Sequence, residues 1–163
     1  MKKRWICIIV ENNIGVLAKI TGLFSAKLYN VLSLSVSKTQ DKEISCITIC
    51  VYSDEQMFEQ IKKQLNRCIE VIKVIDYTNK DICIKELMIV TLHNCNQNTV
   101  ETIRNYIKDV DGCILQNHGM ALILEIVQTE EQNDNFINEL TCIFKGNLTY
   151  LRNASIAFEL ESL

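Results

Sequence analysis

Apolar and polar residues in the first half of the chain follow two periods, which predict strands and helices in a definite order. Alternation with period two predicts strands, and apolar residues three to four positions apart predict helices. Strands are predicted at residues 5–11, 31–38, 44–52 and 70–77. One helix is predicted over residues 15–28, and a second one after the cap-like Ser53-Asp54-Glu55. The predicted order is therefore βαββαβ.

The second half repeats this order with different residues. Its strands are predicted at residues 83–93, 113–117, 120–128 and 148–158. Its first helix has the inward-facing apolar residues Val100, Ile103, Ile107 and Val110. Its second helix has Phe136, Ile137, Leu140, Ile143 and Phe144. Asn117-His118-Gly119 is a hairpin-type turn in which Gly119 is free to adopt a positive φ.

These patterns predict an α+β fold made of two tandem ferredoxin-like βαββαβ sandwiches. Each has a four-stranded antiparallel sheet covered on one face by two helices. The polar break at Thr78-Asn-Lys-Asp81 predicts domains at residues 1–79 and 80–163. Because each sheet keeps one uncovered face and open edges, we expect at least a homodimer.

Composition narrows the class of protein. Of the 163 residues, 48% are apolar and 23% are charged, which is typical of a globular protein. The longest apolar runs are too short to span a membrane, and the polar residues from Glu11 follow the basic start too soon for a signal peptide. We therefore expect a cytoplasmic protein without a membrane partner. A net charge of only +4 over residues 1–80 and no aromatic residue in strand 31–38 argue against nucleic-acid binding.

No catalytic or metal-binding motif is found. The eight cysteines form no Cys-x-x-Cys pair and mostly lie in apolar strand patterns, so we expect structural thiols, no metal site and no disulfide. His93 and Cys95 are the nearest approach to a ligand pair, and His118 falls in a predicted turn. Neither histidine has a nucleophile or base placed beside it in the sequence. We expect no active site.

The turn after the first strand holds the most informative polar residues. Asn12, Asn13 and Gly15 can form an ordinary strand–helix turn in which an asparagine caps the helix. Alternatively, a helix N-terminus beside a glycine presents free backbone N–H groups that attract a carboxylate. An adjacent asparagine amide both donates and accepts, which suits the ammonium and carboxylate of an amino acid. The residues alone leave both interpretations open.

A longer motif surrounds this turn: Asn12-x-x-Gly15-Val-Leu-x-Lys-Ile-x-Gly22-Leu-Phe24-Ser, then Tyr29-Asn30-Val-x-Ser33-Leu-x-Val36. It closely resembles the regulatory (small) subunit of acetolactate synthase, also called acetohydroxyacid synthase. That subunit begins with an ACT domain, a βαββαβ module that senses amino acids. The resemblance continues through Asp54-Glu-x-x-x-Glu59-Gln-Ile-x-Lys-Gln-Leu65 and is weaker in the second half, at Ile84–Val90 and Leu151-Arg152.

The resemblance implies a binding site for a branched-chain amino acid, chiefly valine, where two ACT domains meet in a homodimer. One chain would supply Asn12, Asn13, Ile14, Gly15, Val16 and Leu17, and its partner would supply Asn30. Val31 is also expected to belong to the site. It also implies a large catalytic subunit as the partner that this chain activates and makes sensitive to feedback inhibition. Thiamine diphosphate, FAD and magnesium would belong to that subunit, and this chain is expected to hold no cofactor.

Two alternatives remain, and two departures from the family pattern bear on them. The chain can be a free-standing tandem-ACT sensor with a different partner protein, or an interaction protein that has lost ligand binding. The family usually has glycine before Tyr-Asn, where this chain has Leu28. Because a residue with a Cβ resists positive φ, we expect the helix to end differently here. The usual Arg-Thr/Ser-Gly near the final strand is Arg152-Asn153-Ala154.

Overall fold

The structure is a computed structural model that describes residues 1–118 and 120–160. The chain divides into two compact units, and in both the predicted βαββαβ order is confirmed. One unit contains residues 1–83 together with the described residues from Ile156 onward, and the other contains Ile84–Ser155. The domain boundary predicted from the sequence differs, because it places all of residues 80–163 in the second domain.

The first unit is an antiparallel sheet with two helices. Its elements are β1 (Lys2–Glu11), α1 (Val16–Ala26), β2 (Val31–Lys38), β3 (Ile44–Ser53), α2 (Glu55–Leu65) and β4 (Val71–Asp76). The strand order is β2-β3-β1-β4, so β2 and β4 are the edge strands. Alternate residues of β1 and β3 share a core with the helices because neighbouring side chains of a strand point to opposite faces. The buried members of this core are Ile6, Ile8, Val10, Val16, Ile20, Phe24, Ile47, Ile49, Val51, Phe58, Ile61 and Leu65.

The second unit has the same plan. Its elements are β5 (Ile82–Leu92), α3 (Gln97–Tyr106) with a 3₁₀ turn (Ile107–Asp109), β6 (Gly112–His118), β7 (Ala121–Gln128), α4 (Glu130–Phe144) and β8 (Leu148–Arg152). The strand order is β6-β7-β5-β8. The short strand β9 (Ile156–Glu159), whose residues are grouped with the first unit, pairs with β5, which begins in that unit at Ile82. The predicted positive φ of Gly119 lies outside the described residues.

The prediction of one continuous strand over residues 148–158 is wrong. The chain forms β8 and β9 with a break at residues 153–155, and the break serves a buried carboxylate. Glu86 on β5 is 6% exposed. Its Oε1 accepts hydrogen bonds from Arg152 Nε at 2.8 Å and Asn133 Nδ2 at 2.9 Å, and its Oε2 accepts one from Ser155 Oγ at 3.2 Å. The break between β8 and β9 therefore contains Ser155, whose hydroxyl is one of the hydrogen-bond donors to this carboxylate.

The expectation that α1 ends differently because of Leu28 is also wrong. Leu28 has φ 57°, the left-handed conformation that glycine usually supplies. Leu28 N donates to Ser25 O at 3.1 Å and Tyr29 N donates to Phe24 O at 3.0 Å. This pair of hydrogen bonds is the Schellman motif, and the accompanying apolar contact is made by the Phe24 and Tyr29 rings, whose centroids lie 6.2 Å apart. The helix therefore ends as a glycine-terminated helix does, with a strained leucine in the glycine position.

Two further expectations concern membrane-spanning helices and metal-binding sites. Within residues 1–118 and 120–160, no helix is long and apolar enough to cross a membrane. The same residues contain no cluster of three or more side chains able to ligate a metal.

Candidate functional site

The turn between β1 and α1 is built around the positive φ of Gly15. Gly15 has φ 90° and ψ −14° and is the N-cap residue of α1. Val16 N donates to Asn13 O at 3.3 Å, and the helical hydrogen bonds begin with Lys19 N donating to Gly15 O at 2.9 Å. A residue with a Cβ would be strained at this φ, which explains why the turn needs glycine.

The N-terminus of α1 carries no side-chain cap. The ordinary interpretation, in which an asparagine caps this helix, is therefore wrong. The N–H groups of Leu17 and Ala18 precede the first helical hydrogen bond and lie at the positive end of the helix dipole. A Cβ added at Gly15 would meet no atom within 4 Å, so the space beside Gly15 is open. The turn therefore offers two free N–H donors close to an open space.

The two asparagine side chains mainly hold the turn in place. Asn12 Nδ2 donates to Lys42 O at 2.8 Å, and Asn12 Oδ1 accepts from Ser45 Oγ at 3.0 Å. Asn13 Nδ2 donates to Glu11 Oε2 at 3.0 Å. The sequence did not reveal the partners of Asn12, because they lie 30 and 33 positions away on the β2–β3 hairpin.

A salt bridge neutralises a carboxylate beside the turn. Glu70 O accepts from Glu11 N at 3.0 Å, which places Glu70 next to the end of β1. Lys19 Nζ lies 2.7 Å from Glu70 Oε1. This hydrogen bond raises the pKa of Lys19 and lowers the pKa of Glu70. The pair reduces the repulsion that a free Glu70 carboxylate would exert on an incoming anion.

Apolar side chains of the turn differ in their exposure. Ile14 is fully exposed, and Leu17 is 41% exposed. Val16 is buried in the core of the first unit, so only its backbone faces the turn. Ile14 and Leu17 are thus available to contact the apolar part of a ligand or another chain.

Asn30 and Val31 lie at the opposite end of α1 from the turn. A helix of 11 residues is roughly 16 Å long at 1.5 Å per residue. Asn30 is exposed, while Val31 begins the edge strand β2 and packs against the core. One chain therefore does not bring the residues predicted for the site together. They can meet only if the Asn30 end of one chain reaches the turn of another.

Comparison with known proteins yields a family and a fold. Residues 6–73 match a family model described as the "AHAS small subunit-like ACT domain". An acetolactate synthase small subunit from Buchnera aphidicola subsp. Baizongia pistaciae is 33% identical over 84% of this chain and 86% of its own length. A probable acetolactate synthase small subunit from Archaeoglobus fulgidus is 41% identical over 85% of this chain and 77% of its own.

A solved structure supports the fold at full length. The crystal structure of the acetolactate synthase small subunit from Thermotoga maritima superimposes with a TM-score of 0.88 and covers 100% of both chains. The two sequences are 22% identical, so this likeness bears on the fold alone.

Proposed function

Because the chain belongs to the acetolactate synthase small-subunit family, we propose that it is the non-catalytic regulatory subunit of an acetolactate synthase. It binds and activates the catalytic subunit and confers feedback inhibition by valine or another branched-chain amino acid. In this proposal the thiamine diphosphate, FAD and magnesium of the reaction belong to the catalytic subunit. Family membership supports the regulatory role, and the uncapped turn at Gly15 is the observation that supports amino-acid binding.

The turn suits the carboxylate of an amino acid. The N–H groups of Leu17 and Ala18 point out of the helix end and have no capping side chain. A carboxylate there accepts two hydrogen bonds and is attracted by the helix dipole. Gly15 matters because a side chain in its place would occupy the approach to these groups. The exposed side chain of Leu17 is available to contact the aliphatic part of the ligand.

A second copy of the chain completes the site. β2 is an edge strand whose residues Leu32 and Val36 are exposed, as are Ile14 of the turn and Leu17 of the helix. Pairing two first units through α1 and β2 covers this apolar surface and carries Asn30 of one chain towards the turn of the other. The exposed Asn30 amide then accepts from the ammonium of the ligand.

A ligand held between two chains can act on a distant partner. It favours the dimer arrangement in which the two halves of its site are closest, and the catalytic subunit favours one arrangement as well. This coupling is reciprocal. If bound valine changes the affinity of this chain for the catalytic subunit by some factor, the catalytic subunit must change the affinity of this chain for valine by the same factor.

The test compares two substitutions at one position. Gly15→Asp and Gly15→Asn introduce side chains of the same size, and both Asp and Asn tolerate the left-handed backbone better than other residues. Only Asp adds a negative charge beside the ligand carboxylate. We expect Gly15→Asp to abolish valine binding in calorimetry and Gly15→Asn to reduce it less. Asn30→Ala should weaken binding by about 1–3 kcal/mol because it leaves a charged group without a partner.

The same variants are tested for activation of the catalytic subunit. Neither position belongs to the buried core, so activation should persist while inhibition by valine is lost. Equal valine affinity in the parent, Gly15→Asp and Asn30→Ala would refute the site. Valine binding without any effect on acetolactate production would favour the free-standing sensor. A monomeric mass in light scattering at micromolar concentration, or acetolactate production by this chain alone, would contradict the proposal.

A further inference from the structure

The second unit contains a pocket of about 440 Å³ that the proposed function does not use. It lies where the turn between β5 and α3 meets the turn between α4 and β8. The residues that line it are His93, Asn94, Asn96, Asn98, Thr99, Thr102, Ile143, Phe144, Lys145 and Asn147. Its volume is in the range of pockets that bind small molecules.

The pocket occupies the position in the second unit that corresponds to the Gly15 turn in the first. In each unit, this position directly follows the strand that precedes the first helix. One backbone hydrogen bond recurs at both places: Glu11 N donates to Glu70 O at 3.0 Å, and His93 N donates to Asn147 O at 2.9 Å. The repeated fold thus brings the same two connections together in each unit, and the connections of the second unit have their own side chains.

The charge of the lining favours an anion. Residues 84–155 include nine Asp or Glu and five Lys or Arg. Even so, the lining residues that the structure describes include Lys145 and no carboxylate. Lys145 ends α4 with φ 49° and has no ion-pair partner among the described residues. A cation without a partner inside an acidic unit is suited to hold a negatively charged ligand.

Amide and apolar groups complete the lining. The side chains of Asn94, Asn98 and Asn147 form no hydrogen bond with the described residues, so their amides are free to donate. Ile143 and Phe144 supply an apolar wall. The helix end contributes little, since the side chain of Asn96 already accepts from Thr99 N at 2.8 Å.

We propose that this pocket is a second ligand site that binds a small monocarboxylate with a short aliphatic group. Lys145 and the side-chain amides hold the carboxylate, and Ile143 and Phe144 contact the aliphatic part. The site lies wholly within the second unit, so its occupancy does not depend on amino-acid binding at Gly15.

The probes are 3-methylbutanoate and its uncharged analogue 3-methylbutanamide, titrated into the full chain and followed by amide proton–nitrogen NMR. We expect 3-methylbutanoate to shift the backbone signals of residues 93–99 and 144–147 with a Kd of ~5 mM or tighter. The neutral amide should bind about tenfold more weakly, because it lacks the charge that Lys145 attracts. Shifts confined to other residues, or equal affinity for the two probes, would overturn the proposal.

Two variants and a control identify the residues responsible. Asn98→Asp puts a carboxylate of the same size into the pocket, and Lys145→Asn removes the cation while keeping a residue that tolerates positive φ. Each should weaken 3-methylbutanoate binding about tenfold without loss of signal dispersion. Lys108→Asn removes a cation outside the pocket and should leave binding unchanged. If both pocket variants bind like the parent, or if the control weakens binding equally, the proposal is wrong.

Discussion

Replacing Leu28 by glycine should stabilise the protein, although most substitutions of leucine by glycine destabilise. Leu28 has φ 57°, and a residue with a Cβ loses about 1–2 kcal/mol in the left-handed conformation. The side chain is 93% exposed, so its removal uncovers almost no apolar surface. Glycine also has more conformational freedom than leucine in the unfolded chain, and this entropy stabilises the unfolded state by about 0.5–1 kcal/mol, which offsets part of the gain. The expected net effect is a gain of about 0.5–1 kcal/mol in the free energy of unfolding.

The measurement is urea unfolding of the parent, Leu28→Gly and Leu28→Ala at one protein concentration. Leu28→Ala is the matched control, because it also removes the leucine side chain but keeps the Cβ. We expect no gain from it and a higher midpoint only for Leu28→Gly, with an unchanged slope. A gain of equal size in both variants would attribute the effect to the exposed leucine. A loss in Leu28→Gly would show that the left-handed backbone is not strained, and our account of the helix end would be refuted.

Two further predictions concern buried polar groups. Arg152→Met should reduce the free energy of unfolding by about 3 kcal/mol, because it leaves the buried carboxylate of Glu86 without a charged partner. A loss below about 1 kcal/mol, measured by urea unfolding, would contradict this prediction. A hydrogen bond from the Cys7 thiol, whose sulfur lies 3.2 Å from that of Cys46, lowers the pKa of Cys46. The alkylation rate of Cys46 should therefore reach half its maximum at a lower pH than that of a free cysteine. Cys7→Ala should move this midpoint upward, while Cys7→Ser should not; equal midpoints in the two variants would contradict this origin.

Local patterns predicted the fold because they report local geometry. The alternation of Ile6, Ile8 and Val10 along one strand identified the face that packs on the helices, and the structure buries all three. The cap at Asp54 was predictable for the same reason: its side chain accepts from Met57 N, only three residues away. Interactions within a few residues leave a signature in the sequence.

Interactions between distant residues left no such signature. The break at residues 153–155 follows from Glu86, which lies more than 60 positions earlier and needs Arg152 and Ser155 as partners. The pattern of apolar residues over 148–158 gave no sign that a buried carboxylate would interrupt the strand. Leu28 is a second example. The local preference for glycine at a left-handed helix end is not followed here, because the Phe24–Tyr29 contact and the core below it hold the helix end in place despite the strain.

The candidate site depends on both kinds of interaction. The sequence identified Gly15 because a glycine beside a helix start is a local turn signal, and in the structure Gly15 is the N-cap residue with φ 90°. It could not show that Asn12 is held by the β2–β3 hairpin, nor that the N-terminus of α1 has no side-chain cap. With Asn12 engaged in holding the turn, the groups left for a ligand are backbone N–H groups, which every amino acid carboxylate can use equally. In the proposed site, selectivity for a branched side chain would therefore come from Ile14, Leu17 and the residues that a second chain brings to them.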